Sequence, residues 1–107
     1  MSSARMESLD EFSFHHRLGQ AGGLAVVLFS TPTCGTCRQV ERLLPEALAS
    51  AVALFRVDVQ TSPGLARAFD LFHLPALFLY RNGHFHARLS CQVSAGALSQ
   101  AIDTALA

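Results

Sequence analysis

The chain has no surplus of charge. Eight Lys and Arg residues balance eight Asp and Glu for a formal net charge of +0, which leaves no bulk field to recruit nucleic acid or an anionic membrane. Five histidines shift that balance mildly in acid. Cysteine is scarce, with three among 107 residues; with two of them in a CxxC, they look like redox chemistry in a reducing cytosol and not like a secreted disulfide framework. No apolar run approaches the roughly 20 residues of a membrane-spanning helix. Met1-Ser2-Ser3-Ala4-Arg5-Met6-Glu7 has no hydrophobic signal core. The expectation is a cytoplasmic chain with neither nucleic acid nor membrane as partner. No repeat, linker or low-complexity stretch divides it, so residues 1–107 read as one domain. That length suits a single core, and the 50% hydrophobic content argues for a globular protein and against disorder.

What is present is an alternation of apolar runs and helical stripes. Ser8-Leu9-Asp10-Glu11 has the form of a capping box, opening a short helix with Leu9 and Phe12 on its apolar side that Gly19, Gly22 and Gly23 stop. Residues 24–30 form a continuous β-rich run, as in a strand covered on both faces. From Cys34 to about Ser50, Cys37, Val40, Leu44, Ala47 and Leu48 recur at helical spacing, with Pro45 expected to kink that helix. Val52–Val59 reads as the next strand, completing a βαβ crossover with parallel strands. Ser62-Pro63 signals a helix start, with Leu65, Ala66, Phe69 and Phe72 as its buried side. Ala76–Arg81 is a third strand, and Asn82-Gly83 predicts a type I′ hairpin into an antiparallel fourth, about His84–Cys91. Alternation there puts Phe85, Ala87, Leu89 and Cys91 on one side and His84, His86, Arg88 and Ser90 on the other. Ser94 caps a last helix whose apolar stripe is Leu98, Ala101, Ile102, Ala105 and Leu106.

The chemistry lies in Cys34-Gly35-Thr36-Cys37, the four residues that follow the first long strand and open a helix. Unpaired amides and the helix dipole at that position favour an anionic sulfur on Cys34. Cys37 is one turn deeper on the same face, within reach of a bond to Cys34. The thiolate is the nucleophile, so a lowered pKa on one exposed thiol makes a redox site. Cys34 is the candidate nucleophile and Cys37 the candidate resolving thiol.

Order, motif and spacing together resemble the thioredoxin family from about residue 8 onward. CxxC follows the first long strand. Leu74-Pro75 precedes the third, where thioredoxins keep a cis-proline facing the CxxC. Tyr80-Arg81-Asn82-Gly83 matches an aromatic-basic-Asn-Gly hairpin, and Arg38 follows the second cysteine as Lys or Arg often does. The resemblance implies an α/β thioredoxin fold, a central mixed sheet of four or five strands flanked by helices. It implies a thiol–disulfide oxidoreductase, needing no cofactor of its own, that acts as a monomer on disulfide-containing proteins and draws electrons from a flavin-dependent disulfide reductase. Thr33, Gly35, Thr36, His73, Leu74, Pro75 and Cys91 would form the surface that meets substrate.

The chain also departs from the family. Thr33 stands where thioredoxins usually have Trp, Thr36 where they have Pro, and the helix proline comes earlier than Pro45. Leu28 occupies the position of a buried Asp that accepts the second thiol's proton. Asp58 reads as a strand-end charge and not as its replacement, so water is one candidate acceptor. His73, at the predicted rim, either is solvated or lowers the Cys34 pKa. Cys91 is either a small buried hydrophobe or a third thiol at the rim. His15, His16, His84 and His86 read as surface residues. Two readings compete with the oxidoreductase: a metal-binding module using Cys34, Cys37, Cys91 and His73, and an interaction domain of the same fold with weak redox activity.

Overall fold

The structure, a computed structural model, describes residues 6–48, 51–90 and 94–107. Five strands form one mixed sheet flanked by helices. They are β1 (Met6–Leu9), β2 (Leu24–Ser30), β3 (Ala53–Asp58), β4 (Ala76–Arg81) and β5 (His84–Leu89). The helices are α1 (Phe14–Gln20), α2 (Gly35–Ala47), α3 (Pro63–Ala68) and α4 (Ala95–Leu106). Strand order is β1-β3-β2-β4-β5. The apolar run at 24–30 takes the middle, buried from Ala25 to Ser30, parallel to β3 and antiparallel to β4. A strand covered on both faces can be apolar throughout without exposing anything.

Each face of β2 packs a separate core. One holds Phe14, Leu18, Val27, Phe29, Phe55, Val57, Leu65, Phe78 and Tyr80, under α1 and α3. The other holds Val26, Leu28, Val40, Leu44, Leu54, Leu77, Leu79, Leu89, Leu98 and Ile102, under α2 and α4. The period-2 alternation of each strand sorts its side chains between them.

Five local expectations are corrected. The capping box does not form, because Ser8 belongs to β1, parallel to β3 at the sheet's edge. Asp10 shapes the turn instead: its Oδ1 accepts from the Phe12 and Ser13 amides at 3.0 and 2.9 Å. The helix therefore starts at Phe14 and leaves Phe12 92% exposed. Gly19 lies inside that helix, and only Gly22 and Gly23 follow it. Ser62 occupies the N-cap of α3, but its buried hydroxyl makes no capping bond, its ψ of 59° lying outside the extended range. Phe72 is 83% exposed, since α3 ends at Ala68 and the chain turns through Asp70 at φ 52°.

The fifth correction concerns β5. Asn82 and Gly83 have φ of 51° and 82°, as a type I′ turn requires. The register then slips: Tyr80 pairs with Phe85 but Leu79 with Ala87, so His86 is an extra residue. A bulge breaks the alternation. Phe85 packs its ring on Phe78 and Tyr80, on the α1/α3 face, while Leu89 enters the opposite core. Arg88 stacks over Phe78. Phe85 and Leu89 thus do not share a side. The expected orientation of Cys91 lies outside the described residues.

Candidate redox site

The strand-to-helix junction is built to present a sulfur. β2 ends at Ser30, and Thr31-Pro32-Thr33 turn the chain. The Cys34 amide donates to the Thr31 carbonyl at 3.3 Å, the Thr31 and Thr33 hydroxyls lie 3.3 Å apart, and Arg38 Nη2 donates to the Pro32 carbonyl at 2.7 Å. Cys34 is the N-cap residue of α2, with extended backbone at φ −92°, ψ 109°. Its Sγ accepts from the Cys37 amide at 3.1 Å, the role a Ser or Asp oxygen plays at other N-caps. The sulfur thereby satisfies one of the helix's unpaired amides, and the amide in turn stabilises negative charge on the sulfur.

The thiols are pushed apart. Cys34 is partly exposed and Cys37 is 1% exposed. Hydrogen bonds from the Cys37 side chain, from its amide and from the Thr36 amide hold the Cys34 thiol below the usual range. Burial first, then the hydrogen bond it gives to Cys34, pushes Cys37 up to about 11. The Thr31 backbone pulls the other way, and the charges of Cys34 and Glu41 add to the rise. One sulfur is thus prepared as nucleophile while its neighbour holds a proton. The groups that lower Cys34 are Cys37 and Thr36, and His73 is not among them.

The remaining predicted residues are placed as follows. Leu74–Pro75 is a cis peptide bond. Thr36, His73 and Pro75 line one groove of about 710 Å³, together with Val40, Leu43, Leu77 and Arg88. Gly35 lines a separate hollow with Arg38 and Glu41. Thr33 is exposed on the turn, and Leu74 is half-buried against the aromatic core. Cys91 lies outside the described residues. Among the described residues no three His, Cys, Asp or Glu side chains come close enough to hold a metal ion. No helix among them is long and apolar enough to cross a membrane.

Sequence reasoning missed a polar cluster behind the junction. Arg56 on β3 pairs with Glu41 on α2 and donates through Nε to Ser8 Oγ at 2.8 Å. Both line a cavity of about 510 Å³ with Ser30, Thr31, Arg38 and Asp58. The only signal in the sequence is a carboxylate four residues after Cys37, one turn along the same face.

Comparison with known proteins agrees with this architecture. A family model described as thioredoxin matches residues 5–104. A thioredoxin of Chlamydia trachomatis serovar D is 33% identical over 66 residues, 59% of this chain and 64% of its own length. A thioredoxin of Mycolicibacterium smegmatis is 30% identical over 94 residues, 83% of each chain. Human ERp44 in its zinc-bound form superposes with a TM-score of 0.79 over 94% of this chain and 32% of that one. At 24% identity that likeness concerns the fold alone.

Proposed function

Because the chain belongs to the thioredoxin family, we propose that it is a thiol–disulfide oxidoreductase that reduces or exchanges disulfides in protein substrates through Cys34 and Cys37. The observation that carries this reading is the 3.1 Å bond from the Cys37 amide to Cys34 Sγ at the first turn of α2, with the two thiols driven in opposite directions.

In the first step Cys34 Sγ⁻ attacks one sulfur of the substrate disulfide. A mixed disulfide forms and the other substrate sulfur leaves as a thiolate. Cys37 then loses its proton and attacks Cys34, so the Sγ–Sγ bond forms and the second substrate sulfur departs. Two electrons pass from the dithiol to the substrate. The groove beside Thr36, His73 and Pro75 is the surface against which a substrate segment would lie, with Thr33, Gly35 and Leu74 around it. By family resemblance a flavin-dependent disulfide reductase returns the oxidised pair to the dithiol, and the domain works as a monomer without a cofactor of its own. The low cysteine content supports a cytoplasmic setting, where such dithiols stay reduced.

Insulin disulfide reduction with Cys34→Ser tests the assignment. The variant is expected to lose the activity while keeping the fold, and an unchanged rate refutes it. Cys37→Ser is expected to stall at the mixed disulfide and retain substrates covalently. Recovery of no adducts from this variant would count against Cys37 as the resolving thiol.

A further inference from the structure

The release step leaves a chemical demand that neither cysteine meets. Cys37 must give up a proton as it attacks, yet it is 1% exposed and its thiol is pushed up to about 11. The sheet beneath α2 offers no acceptor, for Val26, Leu28, Leu54 and Leu79 make it hydrocarbon. Among the described residues, a side-chain base would have to come from the helix itself or from the strand ends past the hydrocarbon.

Three carboxylates line the cavity that opens there: Asp10, Glu41 and Asp58. Asp10 Oδ1 is occupied by the Phe12 and Ser13 amides. Asp58 Oδ1 is taken by the Gln60 amide at 2.9 Å. Glu41 differs from both. It stands one helical turn beyond Cys37 on the same face of α2. Its Oε1 is held by Arg56 Nη1, and its charge is the one carboxylate charge that acts on the Cys37 sulfur; its Oε2, like the Oδ2 of Asp10 and of Asp58, meets no donor among the described residues. Thr31, which flanks the cavity, is also the residue whose backbone acts on the Cys37 sulfur. The cavity, about 510 Å³, has room for several waters at about 30 Å³ each. The charged groups facing this region are Arg38 and Glu41 on α2, Arg56 and Asp58 on β3, and Asp10 after β1.

We propose that Glu41 accepts the Cys37 proton in the release step, through water in this cavity, with Arg56 as the positioning residue that holds the carboxylate towards the strand ends. The inference rests on the oxidoreductase reading and adds to it the route of a proton. As Cys37 Sγ bonds to Cys34 Sγ, the Cys37 S–H bond breaks and its proton passes to Glu41. The bond from Cys34 to the substrate sulfur breaks, and the departing thiolate takes up a proton from solvent or from Glu41. A free carboxylate is a weaker base than this thiolate by several decades, so transfer has to proceed together with S–S bond formation, when the sulfur's own hold on the proton falls.

The test is the rate at which a preformed mixed disulfide on Cys34 resolves, followed as a function of pH in the full chain. Glu41→Gln is expected to slow resolution by ~100-fold near neutrality, with the gap narrowing as pH rises into the alkaline range, where Cys37 ionises unaided. Glu41→Asp is expected to recover part of the rate. The initial attack by Cys34 on substrate is expected to stay at the wild-type rate in both. A Glu41→Gln rate equal to wild type overturns the proposal. A faster rate does too, because it makes Glu41 merely a like charge that burdens Cys37. A defect that does not change with pH reduces Glu41 to a structural role, and a pH-dependent defect in Asp58→Asn but not in Glu41→Gln moves the acceptor to Asp58. If the wild-type chain itself exchanges no disulfide, the oxidoreductase reading fails before Glu41 is tested.

Discussion

On the side of the sheet under α1 and α3 the core is a set of interlocked rings. Phe29 meets Phe14, Phe69 and Phe78 at centroid distances of 6.1, 5.8 and 4.9 Å, and Tyr80 meets Phe14 edge-on at 6.0 Å. On the side under α2 and α4 the buried cluster is Leu, Val and Ile, with no ring. Aromatic pairs fix one another's orientation and contribute about 0.5–1.5 kcal/mol each beyond burial, whereas aliphatic side chains fill space without directing it. The redox pair opens α2, the helix that packs on the aliphatic side through Val40 and Leu44, and the polar pair Glu41–Arg56 borders the same helix. One face is packed by rings and the other carries the chemistry.

Truncation on each face tests that division. Phe29→Ala is expected to cost about 3–5 kcal/mol, a large share of the ~5–15 kcal/mol that holds a domain folded, as read from urea denaturation. The Cys34 titration should be unmoved, because the hydrogen bonds that lower it come from Cys37 and Thr36 and from no residue of the aromatic core. Leu44→Ala, on α2 and 0% exposed, is expected to cost about 2–5 kcal/mol. It should also raise native-state labelling of Cys37, two turns earlier on the same helix. Equal labelling of Cys37 in the two variants would show that the faces do not act separately.

Each face also buries one group that ionises in alkali, Cys37 on one side and Tyr80 on the other. Burial pushes Cys37 up to about 11 and Tyr80 to about 12. Both are acids whose folded pKa lies above the unfolded one, about 8.5 for Cys and about 10 for Tyr. Their contribution is therefore complete below those unfolded values and is lost as pH rises through the folded ones. Stability is expected to fall in two stages, the first between about pH 8.5 and 11 and the second between about pH 10 and 12. Cys37→Ala should remove the first stage and Tyr80→Phe the second. A single stage in wild type, unaffected by Cys37→Ala, would mean that the aliphatic face does not hold the thiol neutral.

How much of this was legible in the sequence follows from how local each cause is. β2, α2, β3 and the hairpin could be read because apolar runs, an N-cap position and Asn82-Gly83 are signals within a few residues. So could the meeting of Cys34 and Cys37, since three residues of helix bring their faces together. β1 could not, because a four-residue edge strand with only Leu9 buried has less pattern than the Ser8–Glu11 motif laid over it. The bulge at His86 depends on pairing with β4, and the exposure of Phe72 on where α3 stops. The cis bond before Pro75 was reached through family resemblance, not through the local sequence. Glu41 and Arg56 lie 15 residues apart on a helix and a strand, and only the folded sheet joins them.

Smaller effects come from the ends of elements. Gly83, at φ 82°, sits against α1: a Cβ there would meet the Leu18 carbonyl oxygen and Gly19 Cα at 3.0 Å. Gly83→Ala is expected to cost about 1–3 kcal/mol, since the backbone conformation and the contact with α1 both oppose a side chain. Ser94 is the counterpart on the aliphatic side, where its hydroxyl accepts from the Ala97 amide at 3.3 Å and starts α4. Ser94→Ala is expected to cost about 0.5–2 kcal/mol, the lower end being the better estimate for so long a bond. Ser94→Asp should recover the loss, because a carboxylate both accepts the amide and suits the positive end of the helix. If Ser94→Asp were no better than Ala, the α4 terminus would be held by packing of Leu98 and Ile102 alone. The aliphatic face would then owe nothing to its cap.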